Sequence, residues 1–211
     1  MNRLLAALAA TGLLCAAQAA AQSAAKPDLA KGESIAKQVC AACHAPDGNS
    51  VASANPKLAG QFPEYLDKQL RNFKAQGGKK AARENAIMSG MVAALTDADM
   101  RAVAAYYAAQ ALRPATAGDK DRAALGQKVW RGGIAAKGVA ACSGCHGPDG
   151  AGIAGLYPRL SGQFPEYVEA QLKLFRAGAR TNDPNGMMRG VAARMSDAEI
   201  RAVAEYAAGL R

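Results

Sequence analysis

Apolar residues recur at helical spacing near the end of each half of the chain. The residues at intervals of three or four are Met100, Val103 and Tyr107 in one segment and Ile200, Val203 and Ala207 in the other. This spacing places their side chains on one face of a helix. We therefore expect two helices whose apolar faces form part of a hydrophobic core.

Residues typical of helix starts predict further helices in both halves. Helices are expected to begin near Pro63 and Pro165, because proline is well placed in a first helical turn. Thr96 and Ser196 are each followed three residues later by an acidic side chain, which is the spacing of a capping box. A further helix in each half leads into a cysteine pair. No alternating run rich in β-branched residues predicts a strand, so the predicted fold class is all-α.

The two halves are copies of one unit. NPKLAGQFPEYLDKQLRNFKA at 55–75 matches YPRLSGQFPEYVEAQLKLFRA at 157–177, an offset of 102. Residues 87–108 match 187–208 at an offset of 100, so two residues are lost between these blocks. Such agreement indicates an internal duplication. The second copy also carries about eight extra residues near 131–138, which we assign to a loop.

The breakers Pro114 and Gly118 separate the two copies. They predict a linker at 113–121, an N-terminal domain at 22–112 and a C-terminal domain at 122–211. The whole chain contains only one Trp, six Tyr and four Phe, whereas Ala and Gly abound. Because small domains with small side chains bury little surface, a bulky prosthetic group would fill the space.

The first 21 residues are predicted to be a signal peptide. They combine a basic start at Arg3, an apolar run from Leu4 to Leu14 and small residues up to Ala21. The run is short for a membrane span of about 20 residues. An uncleaved anchor and lipid attachment at Cys15 are the alternatives. We expect export to the periplasm, which is an oxidising compartment.

The chain is basic, with a net charge of +9 from 26 Lys and Arg against 17 Asp and Glu. The two halves share this charge evenly, which argues against a basic tail that binds nucleic acid. A well-solvated surface explains the charge, and docking on an acidic protein partner is the sharper hypothesis.

Each copy contains the motif Cys-x-x-Cys-His. The residues are Cys40, Cys43 and His44 in CAACH and Cys142, Cys145 and His146 in CSGCH. Both thiols lie on one helical turn and can form thioethers with the two vinyl groups of one haem, while the histidine reaches the iron. The motifs therefore predict two covalently bound haem c groups. The alternatives are a redox-active dithiol, which expects a βαβ unit, and zinc held by the thiolates.

Methionine is the expected second axial ligand of each iron. The chain has no histidine besides His44 and His146, so two histidine ligands at one haem would leave the other haem without a histidine ligand. Met88 and Met188 match each other in the duplication, which pairs His44 with Met88 and His146 with Met188 as iron ligands. Four other methionines exchange with aliphatic residues, as core residues would. These are Met91, Met100, Met187 and Met195.

An axial imidazole needs a partner for its other ring N–H, commonly a backbone carbonyl. Pro56 and Pro158 are candidates for that carbonyl, and shaping a loop is their alternative role. Six further side chains could contact haem propionates or simply face solvent. They are Lys57, Gln61, Tyr65, Arg159, Gln163 and Tyr167.

The chain resembles the dihaem cytochromes c, specifically the cytochrome c4 family. The motifs that carry the resemblance are CAACHAPDGNS, NPKLAGQFPEYLDKQL, CSGCHGPDGAGI and YPRLSGQFPEYVEAQL, and the similarity spans essentially all of 27–211. It implies two tandem class I cytochrome c domains related by a pseudo-twofold axis, with haem propionates facing the interface. It also implies a periplasmic carrier, sometimes membrane-associated, between a quinol-oxidising cytochrome bc complex and terminal oxidases.

Methionine–histidine ligation fills both axial positions, so the iron can exchange electrons without binding a substrate. This favours an electron carrier over an enzyme. The main alternative is the cytochrome subunit of a larger dehydrogenase, such as a flavocytochrome. A peroxidase or a gas sensor would need an open or displaceable iron position.

Overall fold

The structure, a computed structural model, describes residues 26–75 and 77–211. The predicted signal peptide at 1–21 lies outside these residues. Within them the regular elements are helices and none is a strand, which confirms the all-α class.

The described residues of the first half contain five α-helices, and the chain stays helical from the first of them to the histidine of its motif. The bounds are Leu29–Ile35 for α1, Ala41–His44 for α2, Pro63–Phe73 for α3, Ala86–Val92 for α4 and Asp97–Ala108 for α5. A π-helical segment, Ala36–Cys40, joins α1 directly to α2.

The second half repeats this order, but its first helix ends at Gly132, so the expected helix leading directly into the cysteine pair is present only in the first half. The helices of the second half are Lys120–Gly132 (α6), Ser143–His146 (α7), Pro165–Arg176 (α8), Met187–Ala192 (α9) and Asp197–Gly209 (α10). Short 3-10 helices lie at Ala135–Lys137 and Pro184–Gly186.

The predicted helix starts are confirmed. Proline occupies the first turn of both α3 and α8. Thr96 and Ser196 cap α5 and α10, and each forms both hydrogen bonds of a capping box with the acidic residue three positions later. These signals depend on a few neighbouring residues, so the sequence was sufficient to locate them.

Two short helices, α4 and α9, were not predicted. They contain seven and six residues, too few to display a repeating apolar face. In each helix one side chain accepts from a backbone N–H of the first turn: Met88 N donates to Asn85 Oδ1 over 2.9 Å in α4, and Arg189 N donates to Asp183 Oδ2 over 3.0 Å in α9.

The loop and linker boundaries differ slightly from the predicted ones. Helix α6 runs to Gly132, so the insertion loop begins at Gly133 rather than at 131. Its ends are joined by hydrogen bonds of 2.9 and 3.1 Å between the backbones of Ile134 and Val139. Helix α6 also begins at Lys120, inside the predicted linker, because the Asp119 side chain caps it.

Two matched glycines allow the first and last helices of each half to cross closely. Helix α1 packs on α5, and α6 packs on α10. A Cβ atom at Gly32 would lie 2.2 Å from the carbonyl oxygen of Ala102, and one at Gly126 would lie 2.0 Å from that of Ala202. Any side chain at either glycine would therefore push the helices apart.

Each half has its own hydrophobic core. The six periodic positions predicted from the sequence are all buried, which confirms that expectation. Phe73 and Leu66 of α3 contribute to the first core, and Phe175 and Leu172 of α8 contribute to the second.

The segment between α5 and α6 is attached to both halves. Arg113 N donates to Asn49 Oδ1 of the first half over 2.6 Å. Asp119 N donates to the buried carboxylate of Glu205 in α10 over 2.9 Å. No helix in the described part of the chain is both long and apolar enough to cross a bilayer.

Candidate functional site

Both Cys-x-x-Cys-His motifs end a short helix with a buried histidine. His44 closes α2 and His146 closes α7, and each is 7 % exposed. The thiols of both motifs are free rather than paired in disulfides; they are Cys40, Cys43, Cys142 and Cys145. Burial raises the pKa of the Cys142 thiol to about 11, so this thiol is protonated near neutral pH.

A backbone carbonyl holds each imidazole, the first of the two roles considered for the prolines. His44 Nδ1 donates to Pro56 O over 2.9 Å, and His146 Nδ1 donates to Pro158 O over 3.0 Å. A carbonyl can only accept, so Nδ1 carries the proton and Nε2 keeps its lone pair. Burial lowers the pKa of both rings, which favours the neutral form that binds metals.

The second histidine is also packed between aromatic rings. The ring of Tyr157 lies 5.9 Å from that of His146 in an edge-on arrangement, and the ring of Trp130 lies 6.4 Å away. Trp130 is buried and its Nε1 donates to Gly147 O over 3.1 Å. These contacts restrict rotation of the imidazole.

Met88 and Met188 are partly buried beside the cores of their halves. Met88 packs against the cluster that contains Phe73 and Met100, and Met188 packs against the cluster that contains Phe175. Each lies in the first turns of its helix, α4 or α9. The duplication therefore places the two thioethers at equivalent points of the fold.

The core expectation for the other four methionines is only half correct. Met100 and Met195 are buried. Met91 and Met187 are 47 % and 42 % exposed, so the prediction was wrong for these two. Exchange with an aliphatic residue does not distinguish a core position from an exposed apolar one.

In the second half the proposed donor groups line one cavity. This cavity has a volume of ≈ 250 Å³, and its walls include Cys142, Cys145, His146 and Met188. Two thiols, an imidazole with a free Nε2 and a thioether are the donor set that covalent attachment and axial ligation of a haem require. The residues present therefore fit a c-type haem.

The same cavity extends across the boundary between the two halves. Tyr65, Lys68 and Gln69, which belong to α3 of the first half, also line it. Lys68 Nζ donates to Asn182 O of the second half over 2.6 Å, and burial lowers its pKa. The first half thus supplies part of the wall of the second site.

Two arginines occupy equivalent places in this boundary. Arg83 Nη1 donates to Gln69 Oε1 over 2.7 Å, while its Nη2 donates to Gln171 Oε1 over 2.7 Å and to the Tyr167 hydroxyl over 3.0 Å. Its guanidinium lies 4.6 Å from the centre of the Phe73 ring.

Arg180 makes the mirror set of contacts. Its Nη1 donates to Gln171 Oε1 over 2.8 Å, and its Nη2 donates to Gln69 Oε1 and to the Tyr65 hydroxyl over 3.2 Å each. It stacks 4.4 Å from the Phe175 ring centre. Sequence reasoning missed both arginines, because they are 97 residues apart and do not align at the offsets of the duplication.

The arginine pair bears on the cofactor as well. Both guanidiniums are buried, yet within residues 26–75 and 77–211 neither forms an ion pair with a carboxylate. The buried Nε2 of Gln69, beside them, has no hydrogen-bond partner in the described residues. Buried cations and donors of this kind suit an anionic group, which the propionates of a haem would provide.

Two glutamines, one from each half, form hydrogen bonds with the backbone of the opposite half. Gln61 Nε2 donates to Arg159 O over 2.9 Å, and Gln61 Oε1 accepts from Arg159 N over 3.0 Å. In the same way, Gln163 Nε2 donates to Lys57 O over 2.9 Å and Gln163 Oε1 accepts from Lys57 N over 3.0 Å. Both glutamines are 8 % exposed, so these are contacts of the interior and not of the solvated surface considered earlier.

The alternatives to haem find no counterpart in the described structure. No group of three or more His, Cys, Asp or Glu side chains suited to a metal ion occurs among the described residues, so the four thiols do not form a shared zinc site. The same residues contain no strand, so the βαβ unit of a dithiol oxidoreductase is missing as well.

Comparison with known proteins places both halves in one family. A sequence profile described as "Cytochrome c" matches residues 29–109 and 123–210. Cytochrome c4 of Thiocapsa roseopersicina is 48 % identical over 195 residues, which cover 92 % of this chain and 97 % of that protein. A thiosulfate dehydrogenase electron acceptor of Thiomonas intermedia strain K12 is 40 % identical over 211 residues, or 99 % and 91 % of the two chains.

A solved structure is similar over the same range. The crystal structure of reduced recombinant cytochrome c4 from Pseudomonas stutzeri matches with a TM-score of 0.82 at 41 % identity. The match covers 88 % of this chain and all (100 %) of that chain.

Proposed function

The chain belongs to the cytochrome c4 family of dihaem cytochromes c, and from this premise we propose that it shuttles electrons between redox proteins in the periplasm. Two cytochrome c domains, each with a covalently attached haem c, make it an electron carrier rather than an enzyme. The single observation that carries the proposal is the repeated set of free thiols and a buried, carbonyl-held histidine.

The proposal assigns a role to each residue of this set. Both cysteines of each motif form the thioethers, with Cys40 and Cys43 in the first domain and Cys142 and Cys145 in the second. His44 and His146 bind iron through Nε2, since Nδ1 is already engaged with a carbonyl. Met88 and Met188 bind through sulfur. When bound, each haem takes up and releases one electron, and methionine ligation raises its reduction potential.

Residues of the domain boundary would hold the haem propionates. Arg83 and Arg180 supply buried positive charge there, the half-buried Lys68 adds a third cation, and Tyr65 and Tyr167 supply hydroxyl groups. Anionic propionates at this boundary would bring the two haems near each other and permit electron exchange between them. This assignment is supported by the second-domain cavity, whose wall the first domain completes.

We propose a quinol-oxidising cytochrome bc complex as the donor and a terminal oxidase as the acceptor. The net charge of +9 and the exposed Lys79 and Lys80, which precede the Met88 helix, favour an acidic docking partner. The rate of electron transfer to such a partner should therefore fall as ionic strength rises. A rate that does not depend on salt would contradict docking by charge.

The ligand assignment is tested by optical and mass analysis of the mature protein. We expect the mass of two covalent haems and a far-red sulfur-to-iron band, with about half of that band lost in Met88→Ala and about half in Met188→Ala. Met91→Leu is the matched control, because this methionine is exposed and has an aliphatic counterpart in the duplication, and it should leave the band intact. A colourless protein, or a band that survives both alanine variants, would overturn the assignment.

The second candidate is a cytochrome subunit or partner of a larger dehydrogenase. It is favoured by the likeness to a thiosulfate dehydrogenase electron acceptor, which extends over 99 % of the chain. Purification of the tagged protein from its native host distinguishes the two. A stoichiometric catalytic subunit that reduces the haems with its own substrate would favour this candidate, whereas a free dihaem protein would favour the shuttle.

A further inference from the structure

Each axial histidine is connected to the opposite domain through a single peptide group. Pro56 O, which accepts from His44 Nδ1, and Lys57 N, which donates to Gln163 Oε1, belong to the same peptide bond. The chain of contacts therefore runs from His44 through this peptide to a glutamine of the second domain.

The second histidine has the same connection in the reverse direction. His146 Nδ1 donates to Pro158 O over 3.0 Å, and the N–H of the same peptide, that of Arg159, donates to Gln61 Oε1 over 3.0 Å. Gln61 belongs to the first domain. The two connections cross the interface and are related by the symmetry of the duplication.

We propose that Gln61 and Gln163 are positioning residues that set the reduction potential of the haem in the opposite domain. A hydrogen bond accepted from the peptide N–H polarises that peptide and makes its carbonyl oxygen a stronger acceptor. A stronger acceptor draws more proton density from the histidine N–H, which raises the basicity of the imidazole toward the iron. A more basic ligand stabilises the oxidised iron and lowers its potential.

Both glutamines are held in place by further bonds. Gln61 Oε1 also accepts from Phe62 N over 3.0 Å, and Gln163 Oε1 also accepts from Phe164 N over 3.1 Å. The amide nitrogens bind the carbonyls of Arg159 and Lys57 across the interface. Bonds within its own domain and across the interface therefore hold each glutamine amide. Because the acceptor oxygen is in place only when the domains are docked, docking affects the reduction potential of both irons. The inference rests on the proposed ligand role of the two histidines.

The test is a redox titration of Gln163→Leu and Gln61→Leu in the mature dihaem protein. The two haems are followed separately through the proton NMR signals of their axial methionine methyl groups, assigned with the Met88→Ala and Met188→Ala variants. Gln163→Leu should raise the potential of the His44 haem, and Gln61→Leu that of the His146 haem. We expect about a threefold shift in the ratio of oxidised to reduced iron, or about 28 mV at 59 mV per tenfold change.

The crossed pattern and the sign distinguish tuning from mere loosening of the interface. A looser interface would admit water and lower the potentials of the buried haems instead. Asn72→Ala is the control: it removes the 2.8 Å bond from Asn182 Nδ2 across the interface and the 2.9 Å bond from Lys68 Nζ but touches neither peptide, so it should not produce the crossed rise. Gln163→Glu keeps an acceptor for Lys57 N and should likewise not raise the potential.

A second readout does not depend on the haem. Amide hydrogen exchange of Lys57 should accelerate in Gln163→Leu, and that of Arg159 should accelerate in Gln61→Leu. If one variant does not accumulate in the cell, the other tests the equivalent contact between a glutamine and the haem of the opposite domain. Normal haem spectra with no shift, or with a shift only in the haem of the mutated domain, would overturn this inference alone. Absence of haem or of methionine ligation in the unmodified protein would instead overturn the proposed function.

Discussion

The segments that lead to the two candidate methionine ligands reach the same contacts by different routes. In the first half Arg83 donates to Gln69, Gln171 and Tyr167, and in the second half Arg180 makes the equivalent set. At the offset of 100 that aligns the methionines, the counterpart of Arg83 is Asp183 and not an arginine. The duplication has kept the position of the guanidinium in space while its position in the sequence has moved.

The reason lies in the residues that precede α4 and α9. Asn85 caps α4, whereas in the second half the Asp183 carboxylate accepts from Arg189 N and forms a 2.9 Å ion pair with the Arg189 side chain. A carboxylate engaged in this way cannot replace the guanidinium, so the second half supplies it three residues earlier. The two halves therefore make equivalent contacts across the interface with arginines that do not align. Alignment of the repeats alone does not identify these contacts.

A second contrast concerns two large side chains of the second half that replace alanines of the first. In the second half Trp130 stands where the first half, counted from the matched glycines, has Ala36. Glu205 stands where the first half has Ala105, and its carboxylate accepts hydrogen bonds from Gly118 N and Asp119 N. Glu205 therefore holds the C-terminal end of the linker on the second half, while Asn49 holds its N-terminal end on the first.

The largest expected effect is at the glycines that both halves share. Gly32→Ala and Gly126→Ala should each lower the free energy of unfolding by about 3 kcal/mol or more, because the added Cβ would meet a backbone carbonyl that can move only with its helix. Denaturant unfolding followed by far-ultraviolet circular dichroism measures the loss.

The matched controls are helical glycines with open space around them. Gly90→Ala in α4 and Gly190→Ala in α9 should be neutral or stabilising by up to about 1 kcal/mol, the intrinsic preference of a helix for alanine. A similar loss in controls and test variants would mean that the crossings are not as close as described.

The next effect tests the equivalence of the two arginines. Arg83→Met and Arg180→Met should each cost about 2 kcal/mol, because each leaves one half-buried tyrosine hydroxyl without its guanidinium donor and removes one of the donors to each of two glutamine oxygens. Chemical denaturation of both variants in parallel gives the comparison. A cost confined to one variant would show that the mirror arrangement is not energetically symmetric.

A smaller effect should appear only in the second half. Glu205→Ala removes the carboxylate that accepts from the linker backbone, with an expected cost of about 1.5 kcal/mol. Limited proteolysis should then cut between α5 and α6 faster than in the parent. Because position 105 is already alanine, Ala105→Ser serves as the control and should leave the cleavage rate unchanged.

The smallest effect is the acid dependence of the capping boxes. Hydrogen bonds from Lys31 and Thr96 lower the pKa of Asp99 from 3.8 to about 2, so its contribution is present above pH 3.8 and is lost as the pH falls toward 2. Hydrogen bonds from Lys137 and Ser196 lower the pKa of Glu199 in the same direction.

Acid titration of stability checks this prediction. Asp99→Asn should be less stable than the parent by about 1 kcal/mol at pH 6, and the two should converge near pH 2. A difference that stays constant over this interval would mean that the carboxylate charge does not contribute.

The sequence located the parts of the candidate site that depend on near neighbours. The cysteine and histidine of each motif fall within five residues, and the pairing of Met88 with Met188 followed from the repeat itself. The core expectation for Met91 and Met187 was wrong, because apolar exchange between copies occurs on exposed faces as well. Helices α4 and α9 were missed because seven and six residues are too few to display a repeating apolar face.

The helical class, the helix starts and the two attachment motifs could be read from the sequence, since each depends on residues a few positions apart, and the duplication could be read by comparing the two halves. Which side chains meet between the domains emerged only in the folded molecule. Gln61 binds the backbone of Arg159, 98 residues away, and Gln163 binds that of Lys57, 106 residues away. Such contacts exist only when two separately folded surfaces dock, and the energy that selects them is absent from any local stretch of chain.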